Sequence, residues 1–269
     1  MRKMSNPTTR DFEAPLSEWY EKKVAASNKV VQALCNRVPY KDTWSMGESY
    51  GPFYVPRDIE VKRVLYCVTP TPKVIDQFFD GKYDLLVSHH PYMATRYAIP
   101  GMTVPQVILH TAMACCEGGL NDQWRDALGV KDAEHFDKNL GWYGKVDPID
   151  PNDFYVKVRD FVGADPIGAV YSDKEAIESV VICTGLGGMV HGEALATKAD
   201  CYILGQAISN PQHSHFPAMI EVGHTLSEYG TGLKLVRSIL TPMDITVDGA
   251  DMKYDIFGSE VYKVGMSAV

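Results

Sequence analysis

Asp84-Leu85-Leu86-Val87-Ser88-His89-His90-Pro91 is an apolar strand that runs straight into two adjacent histidines. Upstream of it, Val61 to Val68 reads as a strand and Pro72 to Phe79 as a helix, so the segment as a whole is a strand–helix–strand unit. The crossover in such a unit is right-handed and its strands are parallel, which sets the fold class as α/β. The two histidines add chemistry to that frame. Neighbouring side chains on a regular strand point to opposite faces, so the pair cannot converge within the strand itself. At the strand's end, turned by Pro91, both imidazoles can approach one centre. Strand ends are where ligands gather in α/β folds, and neutral imidazole is the commonest metal ligand in proteins.

Further along, Pro105 to His110 reads as another strand and Asn121 to Leu128 as a short helix ending at Gly129. The alternation resumes in the second half. Helices are expected at Tyr155 to Phe161, Gly192 to Lys198 and Thr225 to about Leu240, with strands at Ser179 to Cys183, Cys201 to Leu204 and Met219 to Val222. Between the last strand and the last helix stands Gly223-His224-Thr225-Leu226-Ser227-Glu228. His224 and Glu228 are four residues apart, share a helix face and can reach one ion together. Three imidazoles and a carboxylate suit zinc, iron or manganese and leave room for water or substrate. The last helix carries Leu226, Tyr229, Leu233, Val236 and Leu240 at helical spacing. Gly230 and Gly232 weaken it by about 1 kcal/mol each, which points to close packing or a kink.

Residues 1 to 50 carry one helical segment, with Trp19, Val24, Val30, Val31 and Leu34 on a loosely periodic apolar face. Gly141 to Asp153, rich in Gly, Asp and Pro, reads as the internal boundary. The expected organisation is a largely helical N-terminal extension (1–50), a first α/β lobe (51–145) and a second, similar α/β lobe (146–269), with both histidine groups just after strands.

With 269 residues, 45% hydrophobic and 22% charged, the composition is that of an ordinary globular chain with a substantial core. A net charge of −8 provides no electrostatic footprint for nucleic acid. No apolar run is long enough to span a bilayer, and Met1 to Pro15 lack the apolar core of a secretory signal, so a cytoplasmic protein without a membrane partner is expected. The six cysteines form no CxxC or zinc-ribbon pattern. Cys67, Cys183 and Cys201 lie in apolar runs and read as small buried hydrophobes, and Cys115-Cys116 reads as a packing pair.

The motifs also occur in a recognisable order: His89-His90-Pro91, His110-Thr111, Gly118-Gly119-Leu120-Asn121-Asp122, Thr184-Gly185-Leu186-Gly187-Gly188, then Gly223-His224 with Glu228. From about residue 60 to 240 the chain resembles the Nif-three-like dinuclear-metal proteins, whose members often carry the name GTP cyclohydrolase I type 2. The resemblance implies a two-lobed α/β fold with metal between the lobes, a toroidal hexamer and metal-dependent hydrolysis. It implies His89, His90, His224 and Glu228 as metal ligands and His110 as a neighbouring polar residue. Three departures stand out. Ala114, in His110-Thr111-Ala112-Met113-Ala114, occupies the place of an aspartate that helps hold the metals. Ser45-Met46-Gly47-Glu48-Ser49-Tyr50 replaces a Trp-Asp-Asn stretch, and Leu204-Gly205-Gln206 replaces a Thr-Gly-Asp-like turn. A missing carboxylate leaves repulsion between two cations poorly offset, so one ion or two both stay open. Glu117, Cys115, Cys116 and Asp122 are the replacement ligands considered.

His213-Ser214-His215 is another ligand-like pair, but it lies in a loop beginning Ser209-Asn210-Pro211-Gln212 and reads as solvent-exposed. The Gly185-Leu186-Gly187-Gly188 turn lacks the GxGxxG spacing and a P-loop lysine, so it reads as a tight turn rather than a phosphate cradle. No GxSxG nucleophile elbow is present, so hydrolysis would need a metal-activated water. The functional expectation is a metal-dependent hydrolase of a small cyclic or anionic metabolite, with His110 transferring protons and Asp122 orienting substrate. The alternative is a non-catalytic metal-binding or regulatory scaffold.

Overall fold

The computed structural model describes residues 10–45, 47–91, 104–137, 139–171, 174–207 and 216–253. Two helices, α1 (Arg10–Ala25) and α2 (Lys29–Arg37), lead into β1 (Gly51–Phe53), β2 (Arg63–Cys67), α3 (Pro72–Asp80), β3 (Leu85–Ser88), β4 (Gln106–Ile108), α4 (His110–Cys115) and α5 (Leu120–Leu128). Then come β5 (Lys131–Phe136), β6 (Gly141–Ile149), α6 (Pro151–Val162), β7 (Gly168–Tyr171), β8 (Ile177–Cys183), α7 (His191–Ala196), β9 (Cys201–Leu204), β10 (Ala218–Glu221), α8 (His224–Leu240) and β11 (Thr246–Gly249). They build two sheets, ordered β1-β4-β3-β2-β11 and β5-β6-β8-β9-β10-β7. In the first, β4, β3, β2 and β11 run parallel and β1 is an antiparallel edge. In the second, β8, β9 and β10 are parallel, flanked by antiparallel strands. The α/β class and the two lobes expected from the sequence are both present.

The central parallel strands β2, β3, β8 and β9 are mostly apolar because helices cover both their faces. On β2, Val64 and Tyr66 enter one core while Leu65 and Cys67 enter another, formed with Val74, Ile75 and Phe78 of α3. The second sheet repeats the alternation: Val180 and Ile182 of β8 face one core, Val181 and Cys183 the other. Local signals hold α3 in place. Pro72 occupies its first turn, and the Thr71 hydroxyl accepts the Val74 N–H as an N-cap.

The single N-terminal helical segment expected from the sequence is two helices. Asn28 breaks it: its side chain accepts the Val30 N–H and caps α2, whose Val30, Val31, Leu34 and Cys35 are buried. Gly141 to Asp153 is not a linker. Its first nine residues are β6, paired on both sides, and its polar composition reflects a strand that becomes exposed toward its end. The sheets therefore do not divide at residue 145. The chain enters the second sheet at β5 and returns to the first at β11, beside β2. Helix α8 makes the return, with Leu226 in a core of the second sheet and Leu235, Val236 and Leu240 in a core of the first.

Candidate metal centre

The strand-end turn works through backbone pairing. Past the end of β3, His89 N–H donates to Cys67 O at 3.1 Å and His90 N–H to Val68 O at 2.8 Å, which extends the sheet by two residues. His110 N–H then donates to His89 O at 3.0 Å, which places the first residue of α4 beside the pair. On the second sheet, Gly223 precedes α8 with φ 109, a conformation that favours glycine. Its N–H donates to Gly205 O at 2.7 Å, and α8 starts directly on His224.

The four side chains read from the sequence come together. Glu228 Oε1 lies 3.3 Å from His89 Nε2 and 3.5 Å from His224 Nε2, and Oε2 lies 3.8 Å from His90 Nε2. All four residues are buried. His110 joins them, with ring centroids 5.4 Å from His89 and 5.7 Å from His90. Two sets of donor atoms lie within 4.8 Å of one another, His90–His224–Glu228 and His89–His90–His110. His110 has φ 35, and a non-glycine residue in that region stores about 1–3 kcal/mol, a feature that clusters at functional sites.

Other residues aim these rings. Thr69 Oγ1 is 2.8 Å from His90 Nδ1, and Gln206 Oε1 is 2.9 Å from His224 Nδ1. In both cases Nε2 is the nitrogen that faces Glu228. Glu48 Oε2 is 2.6 Å from His110 Nδ1 and accepts the Thr111 hydroxyl at 2.5 Å. Glycine makes the approach possible: Gly185 has φ 64, and a side chain there would overlap Glu228 Oε1. Sequence reasoning missed Thr69, Glu48 and Gln206. Glu48 and Gln206 lie in two of the three departures from the family pattern, so a signal existed; Thr69 carried none.

Burial, and then repulsion from neighbouring rings, holds His89 and His90 well below the usual histidine range, which keeps them neutral and able to donate lone pairs. Burial opposes the ionisation of Glu48, but hydrogen bonds from His110 and Thr111, the His110 charge and the Ser45 N–H bring it down to about 2. Within this cluster two buried atoms, Glu228 Oε2 and His89 Nδ1, have no hydrogen-bond partner. An orphaned carboxylate oxygen amid neutral imidazoles is costly without a cation. The donor set, three imidazoles and a carboxylate around Glu228, fits a divalent transition metal.

Asp122 is engaged elsewhere. Its carboxylate accepts the Gly118 N–H at 2.7 Å and the Trp142 indole N–H at 2.8 Å, and pairs with Arg125. It lines a surface cleft with Glu117, Cys116 and Arg37. Ala114 is buried in α4. The Gly185-Leu186-Gly187-Gly188 segment is a tight turn packed on Glu228 and Tyr202. His213 and His215 lie outside the described residues.

Residues 34–100 and 103–256 match the family model Duf34/NIF3 (NGG1p interacting factor 3). A Lactococcus lactis protein named "GTP cyclohydrolase 1 type 2 homolog" is 30% identical over 146 residues, which are 51% of this chain and 56% of that relative. The match thus spans about half the length of the curated relative. Among solved structures, reduced HcgD from Methanocaldococcus jannaschii superposes with a TM-score of 0.70 at 19% identity, covering 83% of this chain and 96% of that chain. A Bacillus cereus protein related to NIF3 gives 0.68 at 12% identity, covering 86% and 98%. At such identities the likeness is one of fold.

Proposed function

The chain belongs to the Duf34/NIF3 family, and from that premise we propose that it is a metal-dependent hydrolase of a small cyclic or anionic metabolite. The observation that carries the reading is Glu228, a buried carboxylate reached by three imidazoles, with one oxygen lacking any hydrogen-bond partner. His89, His90, His224 and Glu228 would hold the ion. A divalent ion bound there supplies an acidified water and a Lewis acid, so the absence of a nucleophile motif is no obstacle.

The chain's own residues do the rest. Thr69 and Gln206 fix the His90 and His224 rings before any ligand arrives, which reduces the ordering cost of binding. His110 is the most accessible histidine of the cluster, its side chain 28% exposed. With a single ion bound, its Nε2 is the group left to move a proton while Glu48 holds Nδ1. A homo-oligomer, the hexamer that the resemblance implies, and a cytoplasmic setting belong to the same reading. Six free thiols fit a reducing compartment, and no described helix is long and apolar enough to cross a membrane.

The second reading, a metal-binding scaffold without turnover, is favoured by Ala114, a methyl group where the resemblance implies a metal-holding carboxylate. Elemental analysis and a screen of cyclic and phosphorylated metabolites, with and without chelator, separate the two. The hydrolase gives stoichiometric metal and chelator-sensitive turnover, and His224→Ala loses both. A scaffold holds metal and turns over nothing. Protein without stoichiometric metal, native or reconstituted, defeats both readings.

A further inference from the structure

The buried centre has a second, differently built half. His89, His90 and His110 form a three-imidazole group, and the carboxylate beside it comes from the loop before β1 rather than from α4. Among the described residues, Glu228 and Glu48 are the two carboxylates that pair with these histidines, and they sit at opposite ends of the cluster: Glu228 against His89, His90 and His224, Glu48 against His110.

Glu48 is firmly placed. Its side chain is 7% exposed, and both of its oxygens are engaged. Oε1 accepts the Ser45 N–H at 2.8 Å and the Ser45 hydroxyl at 2.9 Å; Oε2 meets His110 and Thr111. The loop is pinned in turn, because the Trp44 N–H donates to Thr111 Oγ1 at 2.8 Å and its indole N–H to Asp137 at 2.7 Å. Ala114, one turn beyond His110 on α4, offers no charge. A carboxylate that accepts the Nδ1–H hydrogen bond keeps the proton on that nitrogen and the lone pair on Nε2, the arrangement by which histidines that bind metals are oriented and made more basic.

We propose that Glu48 is a positioning residue for a second divalent ion, which takes His89 and His110 while the first keeps His90, His224 and Glu228, and that it supplies from the N-terminal loop the negative charge that α4 lacks at Ala114. The proposal rests on the metal-centre reading above and deepens it. Two nearby cations repel strongly in a buried site, and an anionic Glu48 at the far end from Glu228 offsets part of that repulsion. In the doubly loaded protein His110 is a ligand, not a proton carrier.

The test is titration of metal-free full-length protein with Co(II) alone, followed by equilibrium dialysis and by the visible d–d absorption. Wild type is expected to take up two equivalents. Glu48→Gln, nearly isosteric, should bind the first with unchanged affinity, which doubles as evidence of folding, and the second about 10–100-fold more weakly, the usual penalty for losing such a partner. Thr111→Val, which removes a hydroxyl holding Glu48 in place, should weaken the same second equivalent. A merely structural role for Glu48 would shift both equivalents together or neither, and either result overturns the proposal. One equivalent in wild type also overturns it while leaving the metal centre standing. No uptake at all sinks the metal reading itself, and this inference with it.

Discussion

Burial holds five of the six thiols above the ordinary cysteine range: Cys116 to about 11, Cys35 and Cys183 to about 12, and Cys115 and Cys201 higher still. Thiolate is the reactive form, so each is expected to stay inert at pH 8 despite being unpaired. Ellman's reagent should find no fast thiol in the native protein and six in guanidinium. Cys115, which is only partly buried, should be the first to react as the structure loosens. A rapid native signal at pH 8 would contradict the packing described for these residues. The same residue scale shows why the centre was partly legible in the sequence. His89-His90 and His224/Glu228 are local patterns, readable from a strand end and a helix repeat. Glu48 pairs with a histidine 62 positions away across an irregular loop, and no periodicity marks such a contact.

Helix α8 poses the problem of two glycines inside a long helix, and they have different causes. A Cβ at Gly232 would run into the Tyr66 ring and hydroxyl, whereas a Cβ at Gly230 meets nothing within 4 Å. Gly230→Ala should therefore stabilise the protein by about 0.5–1 kcal/mol through helix propensity alone. Gly232→Ala gains the same propensity but overpacks the interface, a cost of about 1–3 kcal/mol, so the net effect is a loss. Adding Tyr66→Phe should recover part of that loss. Thermal melts of the three variants check this, and equal gains at both glycines would mean that α8 does not press on β2 as described. The close packing expected from the glycines in the sequence is thus present at Gly232. Other elements left weaker traces. The four residues of β11 include one buried apolar side chain, Val247, and β6 contains Pro148 and alternates with exposed polar residues, so its composition imitates a linker. Both are strands because of the neighbours they pair with, β2 for one, β5 and β8 for the other. That information is non-local, and sequence patterns over a dozen residues do not carry it.

At the scale of the whole molecule, the centre is a joint. His89 and His90 extend a strand of the first sheet, whereas His224 follows a strand of the second. Glu228 faces all three from one turn into α8. Among the described connections α8 crosses from one core to the other, so the sheets already share a rigid element. An ion at Glu228 would add a further tie to those made by α8 and by α5, whose Leu120 and Trp124 also lie in the two cores, and it would be made only in the folded state. Binding that excludes the unfolded chain stabilises by mass action, about 2.7 kcal/mol when free metal stands at a hundred times its dissociation constant. For a chain of this size each kcal/mol moves Tm by about 2–4 °C, so saturating metal should raise it by about 5–10 °C. The rise should depend on the logarithm of free metal, vanish with chelator and be flat in His224→Ala. If the two sheets melt separately without metal, the ion should merge the two transitions into one, because the side chains that would hold it come from both sheets. A Tm that ignores metal over a hundred-fold range in wild type would mean that these side chains meet for packing alone, and the orphaned oxygen of Glu228 would then be a cost the fold carries without return.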